Sequence, residues 1–314
     1  MPQFNNVVGR ADVSDALLPD QVSKEILKTA ETQSTVLSRA RRVPMSSKKS
    51  KQPVLAALPD AYWVNGDTGL KETTKAGWEN VTMTAEELAA IVPIPDALID
   101  DADVPLWDEI KPLLVEAIGK KVDTAALFGT DKPESWPTAV VPAAITAKNV
   151  VKRGTNTDIA ADIAALAGLV SADGFAVNGF ASKPGMHWDL VGSRTPNGAP
   201  LYSPALAPGQ PQSLYGFPLN EVNNGAWNAE AAELLAADWT KFVVGVRQDI
   251  TFDLFREGVI TDDSGKVLVN LMQQDMKALR VVFRVGFQVA NPMTRIGDAD
   301  SRYPAGVLTP AEAE

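Results

Sequence analysis

The sequence predicts an α+β fold, and three observations carry that expectation. Residues 105–131 repeat apolar side chains at helical spacing, residues 52–84 set short apolar pieces between turn signals, and residues 280–289 alternate with a period of two. Helix and strand signals fall in separate runs rather than in regular alternation.

Residues 1–14 read as disordered or extended. Residues 18–37 can hold a short amphipathic helix with Val22, Ile26 and Leu27 on one face. Between Thr32 and Pro59 there are six basic residues, Arg39, Arg41, Arg42, Lys48, Lys49 and Lys51, and no acid. Such a run reads first as a solvated loop, second as an extended arm lying on acidic surface of a neighbouring copy, and third as a contact with nucleic acid. Next come Tyr62, Trp63 and Val64, the turn signal Asn65-Gly66-Asp67-Thr68-Gly69, then Trp78, Val81 and Met83. This reads as a long β-hairpin, which has too few core residues to stand alone.

Leu88, Ala90, Val92 and Ile94 alternate, so residues 85–104 are read as a strand buried on one face. Asp103 can cap the helix that follows, with Pro105 tolerated in its first turn. Leu106, Ile110, Leu113, Leu114, Ala117, Ile118, Val122, Ala125 and Leu127 form its apolar face, and Gly129 is placed to end it. A helix of about 25 residues spans roughly 37 Å. Pro112 lies inside it and predicts a kink. A second helix is expected over 158–170, capped by Thr157, and a strand around Phe175, Val177 and Phe180. Residues 182–218 are rich in turn formers. AEAAELLAA, residues 229–237, is helical by propensity. Strands are expected at 242–246, 250–255 and 280–289, a turn at Asp262-Asp263-Ser264-Gly265, and a polar tail at 297–314.

Composition excludes much chemistry. The chain has 314 residues, enough for one or two domains, and no cysteine, so disulfides, thiolate metal sites and cysteine nucleophiles are absent. Its single histidine, His187, is the one imidazole a triad could use, and a multi-histidine metal site cannot be built. Neither a nucleophile elbow nor a phosphate-cradling glycine loop occurs. Asp96, Asp100, Asp101 and Asp103 do not have the spacing of a calcium loop and read as an acidic helix entrance. Catalytic, cofactor and metal residues are therefore all expected to be none. The start of the chain lacks a signal-peptide pattern and no apolar stretch reaches a membrane span, so the expectation is a cytoplasmic product. The net charge of −10 disfavours general nucleic-acid binding.

Four stretches resemble one family. Residues 78–131, ending in Gly129-Thr130-Asp131, are similar to its extended-loop strand and spine helix. Residues 157–202 resemble its axial helix, with the Pro184-x-x-x-Trp188 element and the Asn197-Gly198 turn. Residues 213–224, SLYGFPLNEVNN, are similar to a following strand, and residues 239–257 and 269–292 to its closing strands. The family is that of the tailed-bacteriophage major capsid proteins, whose Hong Kong 97-like fold is shared with encapsulins, and the resemblance covers roughly residues 15–297.

The resemblance implies an N-terminal arm (1–51), an extended β-hairpin loop (52–84), a peripheral domain with the spine helix (85–132 and 239–297), an axial domain (133–238) and a C-terminal tail (298–314). It makes Leu234-Leu235 part of a strand, against local propensity. It implies pentamers and hexamers of the chain itself, forming an icosahedral virion shell around double-stranded DNA without sequence-specific contact. Synthesis is in the host cytoplasm, with separate scaffolding, portal and decoration proteins and no membrane. Inter-subunit contacts are expected from Arg39, Arg41, Arg42, Lys48, Lys49, Lys51, Lys71, Lys75 and Trp78. Some members cross-link a loop lysine to an asparagine with a nearby glutamate as base. Here Lys71 and Lys75 match the loop and Asn270 the acceptor, but Lys277 stands where the glutamate should be. A cation there cannot take the proton, so no cross-link is expected. The alternatives are an encapsulin-like compartment shell and a hydrolase or binding module using His187.

Overall fold

The computed structural model describes residues 34–64, 71, 73–102, 105–194, 198–200, 202, 212–296 and 301–311. The expected extended start, most of the 18–37 helix, the Asn65–Gly69 turn and the Asp103 cap lie outside the described residues. The described residues divide into two compact units: those within Glu87–Ile118 and Gln248–Val285, and those within 34–86, Gly119–Arg247 and 286–311.

The first unit is built on β4 (Glu86–Pro95), α2 (Asp96–Asp101), α3 (Leu106–Asp123), β10 (Phe242–Phe255), β11 (Val259–Thr261), β12 (Val267–Asn270) and β13 (Met276–Val289). The expected alternation in β4 holds: Leu88, Ala90, Val92 and Ile94 lie on the more buried side while Glu87, Ala89 and Ile91 are exposed. The strand ends at Pro95 rather than running to 104, because Asp96 opens the short helix α2. Ile94, Leu98 and Leu106 form a core with Val92, Ile99 and Ile110 packed against it. Helix α3 continues through Pro112, which supplies no backbone donor to Asp108. Leu113 and Ala117, expected inside, are exposed, Leu113 by 55%. β11 and β12 form an antiparallel hairpin around the expected turn, where Asp262 accepts hydrogen bonds from Ser264 and Lys266. The Ser264 hydrogen bond holds the Asp262 carboxyl below the usual range.

The second unit contains α1 (Thr35–Arg39), β1 (Arg41–Pro44) and the hairpin of β2 (Lys49–Ala57) and β3 (Gly77–Thr84). β1 is parallel to β10, with Arg41 opposite Val243. β2 and β3 pair from Lys49↔Thr84 to Ala57↔Gly77, as expected of the hairpin, though it begins at Lys49 rather than at residue 52. Met45, Met83, Ala85 and Val243 pack together at its base. Gly245 lets the ends of the Met45 and Met83 side chains approach the backbone there; a Cβ at that position would make both move. The end of α3 passes into a π-helical turn, Thr124–Phe128, stopped by Gly129 at φ 80° as expected.

The larger core belongs to a six-stranded sheet ordered β5-β14-β9-β6-β8-β7. Its strands are β5 (Val150–Lys152), β6 (Gly179–Ser182), β7 (Ser213–Leu214), β8 (Phe217–Glu221), β9 (Leu234–Ala237) and β14 (Ala305–Thr309). The helices α4 (Val140–Thr146), α5 (Ile159–Ala172) and α6 (Met186–Gly192) accompany it. Ile163, Leu166 and Val170 of α5 pack with Phe180, Leu219, Leu234 and Leu308. The cap of α5 is Asp158, which accepts from the Ala161 amide at 2.8 Å, and not Thr157.

Two expectations from the local sequence fail here, each for its own reason, while the strand that the resemblance implied at Leu234-Leu235 is present. Residues 234–237 are a strand and not a helix: β9 is buried on both faces between β14 and β6, and that pairing overrides the propensity of Ala and Leu. Glu233 fixes its start, held by Arg153 at 2.9 and 3.1 Å and by Lys183 at 2.8 Å. The C-terminal segment is not wholly a polar tail. Residues 305–309 form β14, parallel to β5 on one side and antiparallel to β9 on the other. A strand of five residues bounded by polar sequence is too short to stand out by periodicity.

Candidate functional site

His187 does not organise a catalytic centre. It lies in α6 with its ring edge-on to Trp188 at 5.3 Å and to Tyr202 at 5.7 Å, while its backbone N–H donates to Glu221 at 2.7 Å. Among the described residues its ring Nδ1 is buried with no hydrogen-bond partner, so no carboxylate orients the ring from that side for general-base work. Among the described residues no group of three or more His, Asp or Glu is arranged to hold a metal ion. Asp96 lies 3.2 Å from the Lys277 ammonium instead. His187→Ala is expected to leave assembly unchanged and to lower the melting temperature by only a few degrees, through lost ring contacts; differential scanning calorimetry and electron microscopy check both.

The basic residues divide by environment. Arg39 is half-buried and donates to the Asn220 side-chain oxygen at 2.6 Å. Arg41 and Arg42 are exposed on β1; Arg41 reaches Gln52 at 3.5 Å, and Arg42 Nε donates to the Leu37 carbonyl at 2.8 Å. Lys48 pairs with Glu86 at 3.4 Å while remaining largely exposed. Lys49 and Lys51 are on β2 and belong to the hairpin, not to an arm ahead of it. Lys71 and Lys75 are exposed.

Pairing fixes which hairpin residues share a face. Lys49, Lys51, Pro53 and Leu55 lie opposite Thr84, Thr82, Asn80 and Trp78, so one face is basic at the base and apolar toward the far end. Trp78 is 67% exposed there and Trp63, just beyond β2, is 100% exposed. Asn270, the matching acceptor, donates its side-chain N–H to Gln273 Oε1 at 2.9 Å and its backbone N–H to Gln274 Oε1 at 3.1 Å.

One cluster was not found from the sequence. Asp123 is fully buried near the end of α3, and its carboxylate accepts from the Ser34 hydroxyl, from the Thr35 and Val36 amides at 2.9 and 3.0 Å, and from Asn224 at 2.8 Å. Burial pushes its carboxyl above the usual range, against hydrogen bonds from Ser34, Val36, Asn224 and Thr35 that pull the other way. Gly119, one turn earlier, admits the close approach: a Cβ there would sit 3.3 Å from Ser34 Cβ. The available signal was an acid at the C-terminal end of a helix, where the dipole disfavours it, four residues after a mid-helix glycine that costs about 1 kcal/mol relative to alanine.

The hairpin exposes Trp78, and the fold matches a known family. The model of the phage capsid family matches residues 15–294. The chain belongs to the phage capsid family. The major capsid protein of Staphylococcus phage 80alpha is 27% identical over 293 residues, covering 92% of this chain and 87% of that one. Among solved structures, a chain from Microbacterium phage Oxtober96 superposes with a TM-score of 0.83 at 36% identity, covering 96% of this chain and 99% of that one. One from Mycobacterium phage Cain does so with a TM-score of 0.83 at 33% identity, covering 98% and 100%. The capsid protein thus has the expected α+β, Hong Kong 97-like fold and is a shell protein.

Proposed function

We propose that this capsid protein assembles with itself into pentamers and hexamers that close an icosahedral shell around double-stranded DNA. The observation that carries the reading is the family match over residues 15–294, supported by the 80alpha major capsid protein along nearly the whole chain. Closed symmetry lets one sequence build a large container.

The hairpin acts as the extended loop and lies over an adjacent copy, burying Trp78 and Leu55. The basic strand β1 and the residues ahead of it form the arm, and Arg41 and Arg42 pair with acidic surface of a neighbour. Residues 85–132 and 239–297 supply the peripheral domain, and 133–238 the axial domain, which β14 completes. Such overlaps bury on the order of 2,000–5,000 Å² in obligate contacts. A net charge of −10 keeps the shell from gripping the packaged DNA. The chain makes no isopeptide cross-link, because the Lys277 ammonium, held 3.2 Å from Asp96, is a cation where a base is needed.

Electron microscopy of the purified protein tests the assembly and is expected to show closed particles, with DNase-protected DNA in those from infected cells. Mature particles boiled in SDS run at the mass of a single chain. A compact monomer at every concentration overturns the shell reading, a protein cargo in place of DNA favours the compartment, and a covalent ladder overturns the absence of cross-linking.

A further inference from the structure

We propose that Asp123 is the positioning residue for the segment that begins at Ser34: with Gly119 it forms a seat on the spine helix that fixes the place and direction of Ser34–Arg39, and assembly requires the seat to be filled. The inference rests on the shell-forming reading above.

Four features meet at this point. The carboxylate is fully buried and takes donors from three consecutive residues of the incoming segment, Ser34, Thr35 and Val36, and a fourth from Asn224. Ser34 serves twice, since its hydroxyl oxygen also accepts from the Leu37 amide and so caps α1. Gly119 lacks the side chain that would keep Ser34 away. Immediately after Asp123 the backbone takes its π-helical turn, a winding that recurs where a helix carries a function.

Helix α1 has only five residues, too few to persist without tertiary support. Two of its residues, Thr35 and Val36, are buried, and both donate backbone N–H groups to Asp123. Loss of the carboxylate therefore releases the segment locally, while the six-stranded sheet, whose core is made of other residues, stays folded. A buried anion with several charge-assisted bonds is a costly way to hold a loop and an effective way to hold one direction. A released segment points in many directions, and each copy then meets its neighbours with the arm misplaced.

The experiment uses the full chain, which has no cysteine of its own. Asp123→Asn removes the charge with little change of shape. It is expected to keep a cooperative melting transition, to be cut by trypsin after Arg39, Arg41 or Arg42 about tenfold faster or more, and to lose particles in electron microscopy. Ser34→Cys with Gly119→Cys then supplies a covalent substitute: the 3.3 Å Cβ separation is slightly shorter than the roughly 3.5–4.5 Å usual for a disulfide, a gap that a small outward adjustment closes. In the Asp123→Asn background the oxidised pair is expected to restore protease resistance and particles, and the reduced pair to restore neither.

Particles from Asp123→Asn at the wild-type yield overturn the proposal. So does an oxidised triple variant that remains as unassembled and as cleavable as the reduced one, or an Asp123→Asn protein with no melting transition. If the parent chain itself forms no particles the shell reading falls, while rescue of protease resistance by the disulfide still reports on the seat.

Discussion

Arg41→Glu with Arg42→Glu yields a folded monomer that forms no shells. Both side chains are exposed on β1, and their described contacts are to neutral groups, the Gln52 side chain and the Leu37 carbonyl. β1 is held to β10 by backbone pairing over Arg41↔Val243 to Pro44↔Val246, which the substitutions leave intact. Exposed changes of this kind shift monomer stability by about 0.5 kcal/mol or less. At an interface the same change places like charges together, at several kcal/mol for each contact, and a shell repeats that contact in every copy. Circular dichroism should match the parent while sedimentation shows only small species. Normal particles from this variant would sink the arm-docking idea.

Val307→Asp has the opposite signature: the unit around the six-stranded sheet fails to fold. Val307 is fully buried in β14, opposite Val150 of β5 and Leu235 of β9. A carboxylate there loses the valine's packing and is buried without a partner, a penalty of about 3–5 kcal/mol. That is a large share of the ~5–15 kcal/mol that holds a typical domain. The equivalent change at Val259, 52% exposed on the β11–β12 hairpin, should stay within about 0.5 kcal/mol. Thermal denaturation of the two variants side by side measures the contrast. Equal melting temperatures would mean that β14 does not hold the sheet together.

The elements that could be read in advance share a property. The spine helix, the β2–β3 hairpin and the alternation in β4 and β13 each repeat a local pattern over eight or more residues, so each announces itself. Helix α5 was expected one residue off, since Thr157 and Asp158 are both capping residues and only the observed bond to Ala161 chooses between them. Leu113 was placed inside because it follows helical spacing, yet a stripe of apolar residues wider than the covered face leaves one side out. The basic run was recognised as extended, but its division among α1, β1 and β2 depends on partners at Asn220, Val243 and Thr84.

The chain by itself determined the long helix and its glycine stop, the hairpin, the long half-buried strand near the C-terminus, and the lack of cysteine and of more than one histidine for chemistry. Those are properties of neighbouring residues and of composition. Only the tertiary structure decided that AEAAELLAA ends in a buried strand, that residues 305–309 enter the sheet between β5 and β9, and that Asp123 holds Ser34 from 89 positions away. Each of these depends on groups far apart in sequence, where burial and hydrogen bonding outweigh the small local preferences of the residues involved.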